Sequence, residues 1–388
     1  MTKDKKTRKH TLTNIFLFIA FGIVGYFLGN WIIQSRPSFQ ATEAYSTLGI
    51  ILLILGIFLS FHVVIFIHEL GHIIGGLLAG DSFGFMIVGP LHVESYNGRL
   101  RTRLNRSLSL YGGLALTLPK ATTNFKKRRL RMVAGGPFAS LFAAIFFELM
   151  AFLGEIYLSS HPQSGLEVQL WIDLSYVTAV LSLLIFIATI IPIKTGGFMS
   201  DGMQLVHLYQ NKPESKAYAA INQLFASSLL GTRPRNFNAE WLADLRSLPD
   251  DTTMGVAANL YFYYFHLDRG DPEVAGRFLR LVEKHLQVYP AAFRKEILAE
   301  IGIYAGTFEK NLDKAQHIWK KVQPELKRRK GATYYIYQAV LASLQKQTIP
   351  FRQALDKANE QLKVTKEKGV ALMQRDLLRQ LLVDMKVG

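Results

Sequence analysis

The sequence contains no cysteine and far fewer acidic than basic side chains. Without cysteine the chain forms neither a disulfide framework nor a thiolate zinc site, so any metal must be held by histidine, aspartate or glutamate. The 45 lysines and arginines exceed the 29 aspartates and glutamates and leave a formal net charge of +16. No nucleic-acid recognition module accompanies this charge, and many basic residues flank apolar stretches. We therefore expect no nucleic-acid partner.

Charged side chains are scarce in four long apolar stretches that precede about residue 195. A helix of about 20 apolar residues crosses the hydrocarbon core of a bilayer. The stretches therefore predict four membrane-spanning helices, at residues 12–33, from 46 to about 68 and beyond, at 130–153 and at 171–193. The first follows a basic leader, but it is long for a signal peptide and has no evident cleavage site. The first stretch is therefore predicted to be an uncleaved membrane anchor.

The distribution of basic residues predicts the orientation of these helices. The segments 35–44 and 156–170 together contain one lysine or arginine, Arg36, whereas the loop 80–131 is rich in both. Loops rich in lysine and arginine remain on the cytoplasmic side of a membrane. We therefore expect a multi-pass protein of the cytoplasmic membrane. Its N-terminus, the 80–131 loop and everything after about residue 195 would lie in the cytoplasm.

One short motif places His68, Glu69 and His72 at the end of the second apolar stretch. Ionisable groups at membrane depth are costly unless they are paired or liganded, so they mark a functional site. Residues four apart share one face of a helix, so the two imidazoles can bind one ion. Glu69 beside them is positioned to take a proton from water at that ion and to pass it to a leaving amine. The motif predicts one catalytic Zn2+ and peptide hydrolysis.

A third protein ligand is needed, because catalytic zinc usually takes three protein ligands and a water. The best candidate is Asp201, which follows the last apolar stretch on the same predicted side of the membrane as the motif. In an alternative interpretation, Ser200 or Asp201 is only the N-cap of the next helix. The small residues of 134–140 open the third stretch, and they suit either ordinary helix packing or a role beside the site.

Three segments together resemble the site-2 protease family of intramembrane zinc proteases. They occur in the family's order, as His68-Glu69-x-x-His72, Gly136-Pro137-x-x-Ser140, and Pro192 followed by Asp201-Gly202. The resemblance covers residues 45–205. Ser140 stands where the family has asparagine, and no asparagine precedes Pro192.

The resemblance implies a role for each matching residue. His68, His72 and Asp201 would bind Zn2+, and Glu69 would be the catalytic acid and base. Substrate binding or support of the site is implied for Gly136, Ser140 and Gly202. The region 83–118 is similar in placement to the family's membrane-associated β-hairpin, which is thought to hold the substrate as an added strand. The implied reaction is cleavage of a substrate's transmembrane segment.

The C-terminal part mixes charged and apolar residues at helical spacing. Three segments about 40 residues apart look like the second helices of helical pairs, with Ala275, Ala315 and Ala354 similarly placed. They resemble tetratricopeptide repeats only loosely. Two interpretations stay open, a small α-solenoid that binds a protein partner and a plain helical domain that shields the site.

The expected fold is an all-α multi-pass membrane bundle of four spans, with a small membrane-associated β-hairpin region and a C-terminal α-helical soluble domain. We expect a leader and anchor at 1–44, a catalytic membrane core at 45–205 with an inserted loop at 80–128, and a cytoplasmic helical domain at 206–388. The expected function is that of a zinc metalloendopeptidase acting on membrane proteins or peptides. Two alternatives are a weakly active or inactive scaffold with structural zinc, and a transport or immunity protein whose histidines carry protons.

Overall fold

A computed structural model describes residues 46–96, 98–106, 108–195 and 198–387. Within these ranges the chain is mostly helical and contains one small four-stranded antiparallel sheet. The first predicted span, at residues 12–33, lies outside the described residues.

Among the described residues, three helices are long and apolar enough to cross a membrane: α1 (Thr47–Leu78), α2 (Phe125–Ser160) and α3 (Leu166–Ile190). Large apolar side chains on them remain exposed, with Phe58 at 64% and Phe142 at 70% of full exposure. Extended apolar surface of this kind is rare on soluble monomers, so it is suited to lipid.

Each of the three remaining predicted spans falls largely in one of these helices, although α2 and α3 begin before their predicted starts and α1 continues beyond residue 68. The cause is that a helix does not end where its apolar stretch ends. α1 continues past the motif to Leu78, and two residues later Gly80 has a φ of +87°, a conformation that glycine adopts readily. α2 begins at Phe125 and includes the basic residues that precede the apolar stretch, since lysine and arginine are good helix formers.

Between α1 and α2 the chain forms four strands instead of the expected hairpin: β1 (Ser82–Val88), β2 (Leu91–Tyr96), β3 (Arg99–Leu104) and β4 (Leu114–Leu118). Their order is β3-β2-β1-β4, and all neighbours are antiparallel. The hairpins β1–β2 and β2–β3 are local, whereas β4 returns to pair with β1, Leu118 opposite Ser82. Local sequence pattern does not reveal such a return. β4 is an edge strand, so one side of its backbone has no strand partner within the described residues.

A short two-stranded ribbon and ten helices follow α3. The ribbon consists of β5 (Lys194–Thr195) and β6 (Phe198–Met199). The helices are α4 (Asp201–Tyr209), α5 (Pro213–Leu229), α6 (Ala239–Leu245), α7 (Thr253–Asp268), α8 (Pro272–His285), α9 (Ala291–Thr307), α10 (Leu312–Arg329), α11 (Ala332–Leu344), α12 (Thr348–Val364) and α13 (Lys368–Val387).

The C-terminal helices pack as consecutive pairs, α7 with α8, α9 with α10, and α11 with α12. Ala275, Ala315 and Ala354 lie in the second helix of each pair and are almost completely buried. A small side chain at these positions permits close approach of helices. The three segments therefore lie in the second helices of three successive helical pairs.

The chain divides into two compact units. Of the described residues, the first unit comprises 46–64 and 140–187, and within it Thr178 donates a hydrogen bond to Ser60 Oγ at 3.0 Å. The second unit comprises the described residues of 65–139 and 188–387. The histidine motif and Asp201 both belong to the second unit, so their geometry is internal to one compact body. The predicted domain boundaries at 44 and 205 stay predictions.

Candidate metal centre

His68, His72 and Asp201 converge in the second unit. His68 Nε2 lies 3.1 Å from Asp201 Oδ2, and His72 Nε2 lies 3.4 Å from the same oxygen. One ligand atom from each residue lies within 4.8 Å of the others, and all three residues are buried. The two histidines are one helical turn apart on α1, whereas Asp201 opens α4 at a distance of 133 residues from His68. The structure therefore brings the three predicted ligands together.

The distances between these atoms fit a tetrahedral divalent ion. Zinc binds imidazole nitrogen and carboxylate oxygen at about 2.0–2.2 Å, so ligand atoms at neighbouring corners of the tetrahedron lie about 3.3–3.6 Å apart. The two observed separations, 3.1 and 3.4 Å, are close to this range. Two histidines and one carboxylate also match the ligand set of catalytic zinc sites, which keep the fourth position for water.

Backbone groups of α2 orient both imidazoles. His72 Nδ1 lies 2.9 Å from the Met132 carbonyl oxygen, and His68 hydrogen-bonds with the backbone of Gly136. A ring Nδ1 that donates to a carbonyl leaves Nε2 of the neutral ring as a lone pair. In the neutral ring of His72 that lone pair is available to a metal ion.

Gly136 makes room for the imidazoles. A Cβ at this position would lie 2.4 Å from His72 Nε2 and 2.9 Å from His68 Cε1. Gly136 therefore supports the site by having no side chain. Ser140, the other residue implied in this segment, is buried in the first unit.

The start of α4 directs Asp201 to the histidines. Ser200 is the N-cap, because its side chain accepts a hydrogen bond from the Met203 N–H at 3.2 Å, and this leaves the Asp201 carboxylate for the site. Burial alone would raise the pKa of Asp201, but hydrogen bonds with the two histidines lower that pKa to about 2. Gly202 lies against the end of α3, where a Cβ would be only 1.8 Å from the Ile190 carbonyl oxygen.

Glu69 lies beside the cluster with its carboxylate uncommitted. The residue is buried, its charge interacts with His72 and Asp201, and no hydrogen bond within the described residues engages it. A carboxylate in this position can accept a proton from a water beside His68, His72 and Asp201 and can deliver that proton to a leaving group.

Gly113 is a site residue that sequence reasoning missed. It precedes β4 with a φ of +103°, and a Cβ there would lie 2.2 Å from Glu69 Oε1. The backbone at Gly113 therefore lies directly against the Glu69 carboxylate, with no room for a side chain. The available signal was the Gly112-Gly113 pair directly before a strand, which marks a turn or a close approach of the backbone.

No protein-family model, curated protein or solved structure matches this chain. The resemblance to site-2 proteases depends on the three segments alone and stays a prediction.

Proposed function

We propose that this chain is an intramembrane zinc metalloprotease similar to site-2 proteases, which hydrolyses peptide bonds in or near transmembrane segments of membrane proteins or peptides. The observation that carries the proposal is the meeting of His68, His72 and Asp201, with Glu69 uncommitted beside them. The motif belongs to a helix long and apolar enough to cross a membrane, which supports a reaction at membrane depth.

The proposed chemistry divides between the ion and the protein. Bound Zn2+ would supply a Lewis acid for the scissile carbonyl and lower the pKa of a water to about 7. Glu69 would take a proton from the attacking water and deliver it to the leaving amine. His72 and His68 keep their orientation through the backbone groups of α2. Burial of these residues strengthens each electrostatic interaction.

The free edge of β4 suits a substrate in extended conformation. A transmembrane helix hides its peptide groups in its own hydrogen bonds, so it must unwind before a peptide bond can be cleaved. β4 begins directly after Gly113, which lies against Glu69, and its outer edge has no strand partner within the described residues. We infer that an unwound substrate segment adds to β4 and thereby presents its carbonyl to Glu69.

The proposal is tested with purified protein in lipid vesicles and a panel of single-span membrane proteins. We expect one zinc per chain by elemental analysis, cleavage of at least one panel member, and loss of both on treatment with a zinc chelator. Activity should return when Zn2+ is restored. Cleavage that persists in protein shown to be free of zinc would contradict the proposal.

The Gly112-Gly113 pair offers a matched test of the loop beside Glu69. Gly113→Ala is expected to slow cleavage on the order of 100-fold, because its methyl group displaces the Glu69 carboxylate and the backbone φ disfavours alanine. Gly112→Ala, whose Cβ would meet no atom within 4 Å, should cleave at close to the wild-type rate. Rates for both variants are measured with equal zinc content. Equal rates for the two would show that the loop does not position Glu69.

We further propose that the protein is a multi-pass protein of the cytoplasmic membrane, with a fourth span at residues 12–33 and with the C-terminal helices in the cytoplasm. The helical pairs α7 to α12 would then form a soluble, tetratricopeptide-like module for a protein partner or substrate. The support is the basic loop at 80–131 and the scarcity of basic residues at 35–44 and 156–170.

Because the chain has no cysteine, its topology can be mapped with single introduced thiols. Gln163→Cys, between α2 and α3, is expected to react with a membrane-impermeant maleimide in intact cells. Lys120→Cys should react only after the membrane is opened. Both positions are exposed, so a difference in labelling reports sidedness and not burial. The reverse pattern would invert the topology.

A further inference from the structure

The C-terminal helices form a cavity of about 600 Å³ between α6, α7 and α8. Its lining follows one face of α7 and the residue that caps this helix: Ala258, Asn259, Phe262, Phe265, His266 and Arg269. With a rise of about 1.5 Å per residue, this face extends over about 16 Å. Sites for small molecules usually measure about 300–1,000 Å³ and are mostly apolar. The cavity therefore has the size of a small-molecule site.

The walls of the cavity are mostly apolar. Leu242 of α6, Phe262 of α7 and Phe278 of α8 contribute side chains from three helices, and the rings of the two phenylalanines stack with centroids 4.9 Å apart. Asn259 donates a side-chain hydrogen bond to Asp250 at 2.9 Å, so these two polar lining residues are partners of each other. A peptide strand in the cavity would leave backbone amides without side-chain partners, which is costly, whereas a hydrocarbon chain has no such groups.

Positive charge gathers at one end of the cavity. The guanidinium of Arg269 lies 5.2 Å from the centroid of the Phe265 ring, and that ring is 5.2 Å from the His266 ring. Arg246 also lines the cavity and is close enough to His266 to interact with it electrostatically. Neither arginine side chain has a hydrogen bond or a carboxylate partner in the part of the chain that the structure describes. Both guanidinium groups are therefore available to an anion.

His266 has an unsatisfied ring nitrogen. Its Nδ1 is buried without a hydrogen bond within the described residues, and the nearby carboxylate oxygen of Asp271 is 4.0 Å away, beyond hydrogen-bond distance. Buried polar atoms are nearly always partnered. Because the ring lines the cavity, half a turn of the ring can offer this N–H to an anion held there. The lining carboxylate, Asp250, is held at Asn259, about 10 Å from His266 along α7, so it does not repel such an anion strongly.

The cavity is too small to take up a helix. A helix as long as the lining face of α7, with a diameter of about 10 Å, occupies about 1,300 Å³. That volume is about twice the volume of the cavity. A slender molecule with an apolar body and one anionic group therefore fits the size, the lining and the charge together.

We propose that this cavity binds a small amphipathic anion, a medium-chain fatty acid, whose hydrocarbon chain lies along α7 and whose carboxylate contacts Arg246, His266 and Arg269. The carboxylate would accept charge-assisted hydrogen bonds from the guanidinium groups. The hydrocarbon chain would leave water for an apolar surface. Fatty acids dissolve in membranes, so they are at hand for a chain with three helices suited to a bilayer. This inference does not depend on the proposed function.

Binding is tested by isothermal titration calorimetry with the full-length chain in lipid nanodiscs. The ligand is octanoate, and empty nanodiscs give the heat of its partition into lipid. We expect octanoate to bind at one site per chain, with an affinity at least about tenfold above that of octanol, because octanol has no charge. Octylammonium, which has the same chain and the opposite charge, should give no heat beyond that of empty nanodiscs. Octanoate that behaves as in empty nanodiscs, or octanol that binds equally well, overturns the inference.

Matched double variants locate the carboxylate of the ligand. Arg246→Gln with Arg269→Gln is expected to weaken octanoate binding about tenfold or more. Arg277→Gln with Arg352→Gln removes the same charge from exposed positions of α8 and α12 outside the cavity and should leave the affinity unchanged. Equal losses in the two double variants would mean attraction to overall charge and would contradict the proposal. All four positions are exposed, so we expect each variant to fold, which thermal unfolding checks.

Ala243→Trp tests the apolar part of the site. Ala243 lines the cavity from α6 and is exposed, so a tryptophan there occupies the cavity without displacing a buried side chain. Octanoate affinity is expected to fall at least about tenfold, while thermal unfolding stays close to that of the parent. Undiminished binding in this variant would place octanoate elsewhere on the protein and refute the site.

A protein partner is the competing occupant. An acidic amphipathic helical peptide of leucine, alanine and glutamate is titrated into the same nanodiscs with and without saturating octanoate. We expect no competition, since a helix exceeds the volume of the cavity. Displacement of octanoate by the peptide, with loss of peptide binding in Arg246→Gln with Arg269→Gln, would assign the cavity to a protein partner and overturn the fatty-acid proposal.

Discussion

Glu69→Gln is expected to retain one zinc per chain and to cleave membrane substrates about 100- to 10,000-fold more slowly than the unsubstituted protein. Glutamine fills the same space, so His68, His72 and Asp201 keep their positions. It has no carboxylate to accept the proton of the attacking water or to protonate the leaving amine. The measurements are zinc content by elemental analysis and the initial rate of cleavage in lipid vesicles.

The control for this variant is Glu240→Gln, which makes the same chemical change at an exposed position of α6. Its rate should equal that of the parent. If Glu69→Gln cleaved as fast as the parent, cleavage would not need a proton acceptor at Glu69, and the protease assignment would fail. If the variant lost zinc, Glu69 would be a ligand or a structural residue.

Asp201→Ala is expected to weaken zinc binding by more than about 100-fold and to abolish cleavage. Loss of a residue that only supports a ligand typically costs 10- to 100-fold in metal affinity or activity, so loss of a ligand should cost more. The substitution removes the oxygen that lies 3.1 Å from His68 Nε2 and 3.4 Å from His72 Nε2. Affinity is measured by competition with a fluorescent zinc chelator.

Two further variants separate metal binding from folding. Asp201→Asn keeps the size of the side chain and the Ser200 cap of α4, so the helix should form while zinc affinity falls. Asp356→Ala, at an exposed position of α12, should change neither property. Full zinc affinity in Asp201→Asn would show that the contact between the aspartate and the histidines is structural, and the proposed metal centre would then lack its third ligand.

Some features of the site follow from local sequence. His68 and His72 share a helix face because the helical repeat brings residues four apart together, whatever surrounds the helix. The sequence also predicted Asp201 as a metal ligand, because it follows an apolar stretch and a third ligand was needed. Its contact with the histidines depends on the packing of residues 133 apart and could not be computed from spacing.

Other features were invisible in the sequence. The return of β4 to β1 and the approach of Gly113 to Glu69 bring together residues that are distant in the chain.

The amino-acid sequence alone determined the apolar lengths suited to a bilayer, the paired imidazoles and the exclusion of thiolate ligands. These properties depend on composition and on the fixed geometry of one helix. The tertiary structure decided that Asp201 reaches the histidines, that Ser200 and not Asp201 caps α4, and that a glycine backbone lies against Glu69. Such contacts are set by how separate elements pack, and the free energy of that packing is a property of the whole compact unit and not of any short segment.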